Sequence, residues 1–361
     1  MSGPRLLVVA GGTRSTASTR HRLWNYRPFL EADGVDLAWI EYRGGRESSF
    51  LRALALRTGF VADLLRTAVR RDVVLVQKVL PPAALFRRWK AAGARVVYDF
   101  DDALFAHAVT GESEDTWRRR KVRFDRVLSL VDVVVAGSPP LAEYARARAP
   151  QVEVMYPSLE RARFPAWRTP VASPAAPSPA AGGDPGGRVV VGWVGNDQSQ
   201  IYMRALEPVL SDVLKVRPHV RLAVCSSVPP ALGPGLARRL DFIPWSEEAE
   251  LSAAASFDLA VSPLGPEPWS RARGGRVSVL LSMASGVPVV ASPGGGLDEL
   301  AGKDGGVVFA DDPGTWRTQL GRLLDDATER RRLGHQARAV VDAGIWADVQ
   351  YPRLKRILFG D

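Results

Sequence analysis

Short apolar runs alternate along the chain with amphipathic segments of helical spacing. The first run, "RLLVVAGG" at residues 5–12, is mostly leucine and valine and stops at two glycines, as a buried parallel strand does where it enters a loop. Residues 21–34 then carry apolar side chains at helical spacing and end in a glycine. The alternation continues to residue 157, which predicts a doubly wound α/β domain.

The composition changes abruptly after this first domain. Residues 169–187 are almost entirely Pro, Ala, Gly and Ser, so they are predicted to form a linker or an exposed loop that buries no core. The alternation of strands and helices restarts at Arg188, which predicts a second doubly wound domain over residues 188–340. Open parallel sheets bind ligands beyond the carboxyl ends of their strands, so we expect the two domains to face a shared cleft.

Cysteine usage and the length of the apolar stretches exclude several classes of protein. The chain has 361 residues and one cysteine, Cys225, so an intramolecular disulfide and a cysteine-based zinc site are both excluded. Its first residues lack the pattern of a signal peptide, and no apolar stretch approaches the roughly 20 residues that cross a bilayer. We therefore expect a cytoplasmic protein.

The net charge of +9 is unevenly distributed. Residues 1–165 hold 27 Lys and Arg against 18 Asp and Glu, whereas residues 166–361 hold 21 of each. A one-sided basic field favours a phosphorylated small molecule, an anionic membrane surface or nucleic acid, and the alternative is simply an arginine-rich proteome. The basic run at residues 117–126 has no nucleic-acid motif around it, so we do not expect a nucleic-acid partner.

The stretch "SRARGGRVSVLLSMASGVPVVASPGGG", residues 270–296, combines three arginines, an apolar helix and a triple glycine without one acidic residue. Helix N-termini and glycine amides bind phosphate, and arginines neutralise it. The pattern predicts a diphosphate site; the alternative is a plain tight turn with solvated arginines. Because no acid is nearby, we expect Arg271, Arg273 and Arg276 to repel one another when the site is empty.

A second informative stretch is "YDFDDALFAHAVTG", residues 98–111. Asp99, Asp101 and Asp102 end a predicted strand, and three close carboxylates at a ligand-facing edge favour a functional role. They fit a D-x-D metal motif that holds a cation against a diphosphate, an acidic magnesium pocket, or a helix-capping aspartate with solvated neighbours. His107 lies just beyond them and could approach the same place.

Several segments resemble a known family. "FDLAVSPL" and "LLSMASGVPVVASPGGGLDEL" look like the donor half of the family 4 glycosyltransferases, retaining GT-B enzymes of the glycosyl transferases group 1 superfamily. "VVVGWVGNDQS" and "LDFIPWSEEAEL" look like the donor domain of one branch of that family. "VVLVQK" and "VVYDFDDALF" resemble the N-terminal domain of the same branch. The matching segments are spread over residues 5–310.

This resemblance implies an α/β fold of GT-B architecture, in which two doubly wound Rossmann-like domains face a shared cleft. Residues 1–168 would form the acceptor-side domain and residues 188–340 the nucleotide-sugar donor domain. The helix of residues 341–361 would cross back onto the first domain. Its apolar positions are Ile345, Trp346, Val349, Leu354, Ile357 and Leu358.

The predicted strand ends and the resemblance together give the candidate site residues. Asp101, Asp102 and His107 are the catalytic candidates, and Arg20 and Arg22 the acceptor-binding ones, with a solvated basic helix start as their alternative. Trp193 and Trp245 would flank a nucleoside base, the alternative being burial in the core. The donor-binding candidates are Gly11, Gly12, Trp193, Gly195, Asn196, Trp245, Arg271, Arg273, Arg276, Gly294, Gly295, Gly296 and Glu299.

The implied activity is transfer of a sugar from a nucleotide-diphosphate donor to an acceptor hydroxyl with retention of configuration. It would be of the hexosyltransferase type and need no metal and no other cofactor. The expected partners are a nucleotide sugar and a small-molecule, glycan or lipid-linked acceptor, with peripheral contact at the anionic inner face of a membrane.

Two other functions compete with this interpretation. Arg273 and Leu281 stand where the family usually has two glutamates, and Asn196 and Gln200 replace an Arg/Lys pair, so a non-catalytic relative that binds a nucleotide or a glycan is the alternative. An NAD(P)-dependent enzyme is not expected, because no G-x-G-x-x-G follows either leading strand with an acid about 20 residues further on.

Overall fold

The structure is a computed structural model that describes residues 3–42, 50–67, 71–107, 111–164, 187–274 and 276–360. It divides into two compact units. Unit 1 comprises Met1–Glu160, Glu267–Gly275 and Trp346–Asp361, and unit 2 comprises Arg161–Pro266 and Arg276–Ile345. The predicted linker of residues 169–187 lies outside the described residues except for its last glycine.

The described residues form strands and helices in the alternation that the sequence pattern predicts. The strands are β1 Arg5–Ala10, β2 Asp36–Glu41, β3 Val73–Gln77, β4 Arg95–Phe100, β5 Val133–Ala136, β6 Val152–Val154, β7 Val189–Val194, β8 Val220–Ser226, β9 Leu240–Pro244, β10 Leu259–Ser262, β11 Val289–Ala291 and β12 Val307–Phe309. The helices are α1 Ala17–Arg22, α2 Arg27–Ala32, α3 Phe50–Thr67, α4 Ala83–Ala91, α5 Glu114–Leu128, α6 Pro139–Arg146, α7 Gln200–Lys215, α8 Pro234–Ala237, α9 Glu247–Ser256, α10 Pro268–Ala272, α11 Val277–Ala284, α12 Leu297–Ala301, α13 Pro313–Asp325, α14 Ala327–Gly344 and α15 Ala347–Phe359.

Unit 1 is built on a parallel sheet whose six strands, within the described residues, follow the order β2-β1-β3-β4-β5-β6. The chain runs from β1 outward to β2 and then returns to β3 beside β1, so the direction of winding reverses between β1 and β3. Doubly wound sheets bind ligands at the carboxyl ends of the strands at such a reversal. The carboxyl ends of β1, β3 and β4 are therefore the first places to look for chemistry in unit 1.

Helices cover both faces of this sheet, and the side chains of β1 show how the strand divides between them. Leu7 and Val9 belong to a core cluster with residues of α4, α5 and α6, whereas Leu6 and Val8 belong to a second cluster with residues of α2 and α15. Because successive side chains of a strand point to opposite faces, a strand buried on both sides is apolar throughout. This explains the unbroken leucine and valine run.

The C-terminal helix α15 packs within unit 1. The Ala347 amide donates to the Leu159 carbonyl oxygen at 2.9 Å, and the Tyr26 hydroxyl donates to Gln350 Oε1 at 3.2 Å. Val349, which the apolar pattern places on the packed face, is instead 42% exposed. The helix begins at Ala347, and its buried residues include Tyr351 and Leu354. Val349 lies outside this buried face of the helix.

Unit 2 repeats the architecture with a second parallel sheet, whose six strands in the described residues follow the order β12-β11-β10-β7-β8-β9. The winding direction reverses between β7 and β10, as in dinucleotide-binding folds. Its core packs α7 and α13 on the sheet through residues such as Met203, Leu210 and Leu320. Two doubly wound Rossmann-like domains are thereby confirmed.

Two helices begin at a serine cap, as serine before an amphipathic segment favours. Ser138 precedes α6 and its hydroxyl accepts from the Leu141 amide, and Ser246 precedes α9 and accepts from the Ala249 amide at 3.0 Å. Among the described residues, no helix is both long enough and apolar enough to span a membrane.

Candidate functional site

In unit 2, one arginine connects the strand ends at the winding reversal to the glycine turn. Arg276 Nη2 donates to the carbonyl oxygen and to the hydroxyl of Ser262, both at 2.8 Å, at the carboxyl end of β10. Its Nη1 donates to the carbonyl oxygens of Ser292 at 2.6 Å and Gly294 at 3.3 Å, just after β11. Arg276 therefore fastens two strand ends and the start of the turn together.

This corrects the role that the sequence suggests for Arg276. We predicted that Arg276 binds phosphate and that the neighbouring arginines repel it when the site is empty. Instead, the Arg276 guanidinium donates to three main-chain carbonyl groups of unit 2. Two of these carbonyl oxygens, those of Ser262 and Gly294, also accept from the backbone amides of Ser292 and Leu297, so Arg276 adds a charged second donor at each. The positive charge of Arg276 stabilises backbone geometry at the sheet edge.

The triple glycine forms a left-handed turn that only glycine adopts without strain. The φ angles of Gly294, Gly295 and Gly296 are 114°, 69° and 73°. The Gly294 amide donates to Asp298 Oδ1 at 3.3 Å, whereas Glu299 is exposed in the first turn of α12. Three consecutive residues without side chains thus form this turn at the carboxyl edge of the sheet, and its binding of an anion stays a prediction.

The tryptophans predicted to flank a nucleoside base differ from each other. Trp193 is 4% exposed and belongs to the core of unit 2, so it is not available for stacking on a base. A Cβ on Gly195 would overlap the Trp193 indole, so this glycine makes room for a buried ring. Trp245 is half-buried and its Nε1 donates to Glu250 Oε2 at 2.8 Å.

Asn196 follows β7 and caps the short helical turn Asp197–Ser199. Its Oδ1 accepts from the Ser199 amide at 2.9 Å, while the Ser199 hydroxyl accepts from the Asn196 amide at 3.1 Å. Gln200, which replaces a basic residue of the family pattern, is buried and donates to the Val228 carbonyl oxygen at 2.7 Å. Both side chains order the loop that follows the first strand of unit 2.

Arg271 and Arg273 do not belong to the unit in which we predicted them. Their segment, Glu267–Gly275, is part of unit 1. Trp269 and Ala272 pack against the unit 1 core, and the Ser138 hydroxyl donates to the Ala272 carbonyl oxygen at 2.8 Å. The Arg273 guanidinium lies 4.9 Å from the centre of the Trp269 ring. The reason is local packing on unit 1, which chain order alone does not reveal.

The carboxyl end of β5 is shaped to accept this segment. A Cβ on Gly274 would overlap the carbonyl group of Gly137, and a Cβ on Gly137 would lie 2.9 Å from the Cβ of Asp101. Two glycines thus allow main chain to lie on main chain directly beside the predicted catalytic aspartates.

Arg22, predicted to bind the acceptor, is buried and paired. It is 4% exposed; its Nε donates to Asp99 Oδ1 at 2.8 Å and its Nη2 to Asp99 Oδ2 at 2.5 Å. Burial raises the pKa of Asp99, although the positive charge of Arg22 opposes that shift. Burial alone would lower the pKa of Arg22, but the Asp99 carboxylate outweighs this effect and raises it. We therefore withdraw Arg22 as an acceptor ligand, because its guanidinium neutralises a buried carboxylate.

Arg20 is also buried, at 2% exposed. Its Nη1 donates to the carbonyl oxygens of Ser15 at 3.3 Å and Arg14 at 3.5 Å, and its Nε donates to His21 Nε2 at 3.3 Å. Neither predicted role of Arg20, contact with the acceptor or exposure to solvent, agrees with this burial. Arg20 holds the loop between β1 and α1, where Gly11 and Gly12 lie close to Gln77 and Thr16.

Lys78 is the residue that sequence reasoning missed. It follows β3, and its Nζ lies 2.5 Å from Asp102 Oδ2 and 3.3 Å from Asp101 Oδ1. These carboxylates outweigh burial and raise the pKa of Lys78; Lys78, with Arg273 and Arg120, outweighs burial and lowers the pKa of Asp102. A lone lysine ending the apolar run "VVLVQK" was the available signal.

The three aspartates therefore have cationic partners: Asp99 pairs with Arg22, and Asp101 and Asp102 pair with Lys78. Across the described part of the chain, no group of three or more His, Cys, Asp or Glu side chains has a metal-holding arrangement. His107 lies farther along the loop, with Nε2 3.9 Å from Glu114 Oε2 and its ring edge against Trp117. The structure thus gives His107 neighbours on α5.

The comparison with protein families finds a match in the second half of the chain. Residues 188–326 match the family described as "Glycosyl transferases group 1". These residues are therefore similar to that family, and we call the matched range 188–326 the group 1 domain. The matched range contains β7, the glycine turn and Arg276, so the site features of unit 2 belong to this group 1 domain.

A curated relative supports the same family. The chain is 36% identical over 108 residues to an MMP alpha-(1->4)-mannosyltransferase of Mycolicibacterium hassiacum. That match spans 29% of this chain and 25% of the relative. The alignment therefore covers about a quarter of the relative's length.

Solved structures share the fold of the whole chain. A sucrose-phosphate synthase from Thermosynechococcus elongatus has a TM-score of 0.72 at 15% identity, with 98% of each chain covered. HepE of Anabaena, solved in complex with UDP-glucose, has a TM-score of 0.63 at 17% identity, again with 98% of each chain covered. The group 1 domain is thus the second part of a GT-B fold.

Proposed function

We propose that the protein is a glycosyltransferase that moves a sugar from a nucleoside diphosphate to an acceptor hydroxyl with retention of configuration. The observation that carries this proposal is the left-handed glycine turn of residues 294–296 at the carboxyl edge of β11, inside the group 1 domain. HepE, a protein of the same fold, is solved with UDP-glucose, which supports a nucleotide-sugar donor.

The chemistry that unit 2 supplies is stabilisation of negative charge on the leaving diphosphate. Backbone amides of a glycine turn are fixed dipoles that need no reorganisation as charge develops. Arg276 keeps Gly294 in register with the ends of β10 and β11, so the turn is preorganised before a donor binds. Glu299 stays a predicted donor contact. Arg271 and Arg273, which lie in unit 1, stay predicted diphosphate ligands.

Unit 1 has charged groups of its own at the carboxyl ends of its strands. Asp102 is ionised through its pairing with Lys78, and 26% of its side chain is exposed, so it can accept a hydrogen bond from a sugar hydroxyl. In this proposal Asp102 orients a reacting partner, and Asp101, 5% exposed, shares Lys78 with it. The proposal includes no metal and no other cofactor.

The proposal is tested by turnover of a panel of nucleotide sugars that varies the base and the sugar independently. Formation of nucleoside diphosphate, with a new glycoside on an added acceptor whose anomeric configuration is read by NMR, is the expected result. An inverted product would overturn retention while leaving sugar transfer intact. Binding without turnover for every donor and acceptor combination would overturn the enzyme assignment.

A non-catalytic relative that binds a nucleotide or a glycan is the second candidate. It is favoured by Leu281, which replaces a family glutamate and is 1% exposed, so no carboxylate reaches a ligand from that position. This candidate predicts nucleotide affinity without product. Location in the cytoplasm, a glycan or lipid-linked acceptor, and contact with an anionic membrane stay predictions.

A further inference from the structure

The main chain at Lys78 is strained where it reaches the aspartates. Lys78 has φ 59°, and it is the only non-glycine residue with a positive φ in the described parts of the chain. The Val79 amide donates to the Gln77 carbonyl oxygen at 2.6 Å, which closes a γ-turn around Lys78. A γ-turn with a positive central φ is the rarer and less stable form, and such strain persists where the surroundings enforce it.

The surroundings that enforce this turn are polar and buried. The Lys78 amide donates to the Asp99 carbonyl oxygen at 2.9 Å, so the backbone continues the pairing of β3 with β4. Only after this hydrogen bond does the chain turn, and the side chain then reaches Asp101 and Asp102. Neutralising the buried Asp101 would not by itself require contact with Asp102, whose side chain is more exposed.

Asp102 is the member of this group that a ligand can reach. Its side chain is 26% exposed, against 7% for Asp101, and Lys78 Nζ lies closest to Asp102, at 2.5 Å from its Oδ2. An ammonium at this distance fixes one edge of a carboxylate in orientation. Such a carboxylate remains an acceptor of fixed direction for a hydroxyl that approaches from solution.

We infer that Lys78 is a positioning residue, which holds the Asp102 carboxylate ionised and oriented to accept a hydrogen bond from a hydroxyl of the sugar acceptor. The inference rests on the proposed function and adds to it the residue through which Asp102 acts. Asp102 would touch the substrate; Lys78 would act only through Asp102.

Three substitutions at Lys78 together separate its charge from its backbone strain, because Lys78→Gln removes the ammonium but keeps a side chain at the positive φ. Lys78→Gly removes the ammonium and also the backbone strain, because glycine adopts a positive φ freely, whereas Lys78→Arg keeps a positive charge. We expect Lys78→Gly to lower kcat about 10- to 100-fold, as loss of a charge-assisted hydrogen bond does, with the KM for the nucleotide sugar nearly unchanged. Lys78→Arg should recover most of the loss. Lys78→Gln serves as a second neutral variant if Lys78→Gly folds poorly.

A double-mutant cycle tests whether Lys78 acts through Asp102. We expect Asp102→Asn combined with Lys78→Gly to be no slower than Asp102→Asn alone, because both changes remove the same oriented carboxylate. Effects on kcat that multiply would overturn the inference. So would a neutral Lys78 variant that folds and keeps the wild-type kcat.

The pH profile provides a readout that a merely structural lysine would not change. The groups that lower the pKa of Asp102 are Lys78, Arg273 and Arg120, and the neighbouring Asp101 shares Lys78 with it. Loss of Lys78 raises the pKa of Asp102, so the acid limb of kcat should move to higher pH in Lys78→Gly and stay in place in Lys78→Arg. An unshifted limb in Lys78→Gly would contradict the inference.

The inference can fail separately from the proposed function. If wild-type protein turns over no donor, the proposed function fails, and the ¹³C carboxyl resonance of Asp102 can still be titrated by NMR. A higher pKa of Asp102 in Lys78→Gly than in wild type supports the positioning role. Equal values overturn it even if sugar transfer is demonstrated.

Discussion

The Arg22 guanidinium and the Asp99 carboxylate form an ion pair that is buried in unit 1, with Nη2 2.5 Å from Oδ2 and both side chains at most 5% exposed. Arg22 Nη1 also donates to the Met155 carbonyl oxygen at 2.7 Å. The pair therefore connects α1 to the carboxyl end of β4 and to the segment after β6. It sets the backbone position of the strand that carries Asp101 and Asp102.

Removing one member of this pair should destabilise unit 1 far more than removing both. Arg22→Met leaves a buried carboxylate without its partner, so we expect unit 1 to lose about 3–5 kcal/mol of stability. Arg22→Met combined with Asp99→Leu should recover most of that loss. Urea unfolding followed by hydrogen exchange of β1 and β4 measures both; equal losses in the single and double variants would show that the pair is not the cause.

Arg276 should control the order of the glycine turn. Arg276→Ala leaves the carbonyl oxygens of Ser262, Ser292 and Gly294 without this donor, and we expect unit 2 to lose about 2–3 kcal/mol. Amides of residues 289–301 should exchange faster. Arg204→Ala, an exposed position on α7, is the matched control and should change stability by less than about 0.5 kcal/mol. If amide hydrogen exchange is unchanged in Arg276→Ala, Arg276 does not control the order of the glycine turn.

Gly295→Ala should affect phosphate binding more than folding. A side chain at φ 69° costs about 1–2 kcal/mol of backbone strain, and we expect it to obstruct the close approach of a phosphate to the backbone. We expect calorimetry to show about tenfold weaker binding of the nucleoside diphosphate and nearly unchanged binding of the nucleoside. Gly302→Ala, with φ 56° and open space at its Cβ, is the control for strain alone. If Gly302→Ala weakens binding as much, the turn is not the phosphate site.

Sugar transfer should survive chelation. The aspartates that could have formed a metal motif pair with Arg22 and Lys78, which offset most of their charge. We therefore expect turnover to persist in excess EDTA. Loss of activity on chelation with restoration by Mn²⁺ or Mg²⁺ would instead favour the D-x-D interpretation of the aspartates.

Local sequence pattern predicted the parts of the fold that depend on local physics. The apolar run of β1, the caps at Ser138 and Ser246, and the need for glycine at residues 294–296 follow from periodicity, side-chain capping and backbone freedom. Each involves residues only a few positions apart, so one stretch of sequence contains the whole cause.

The residues whose roles changed are those with distant partners. Arg22 and Asp99 are 77 residues apart, and Ser138 and Ala272, which tie the segment of Arg273 to unit 1, are 134 apart. In the sequence, an arginine near a glycine turn looks the same whether it binds phosphate, faces solvent or donates to carbonyl groups. Only the packed structure shows which groups Arg276 contacts, and the same is true of the strained turn at Lys78.

The central claim is that this chain transfers a sugar from a nucleoside diphosphate, and release of that diphosphate measures it most directly. Wild-type protein should be incubated with UDP-, GDP-, ADP- and TDP-sugars and a mixed panel of glycan and lipid-linked acceptors, with Gly295→Ala in parallel. We predict that mass spectrometry finds one donor converted to nucleoside diphosphate and a glycoside of the matching mass, at least about tenfold more slowly with Gly295→Ala. Nucleotide binding by calorimetry with no release from any donor would contradict the claim and leave a binding protein.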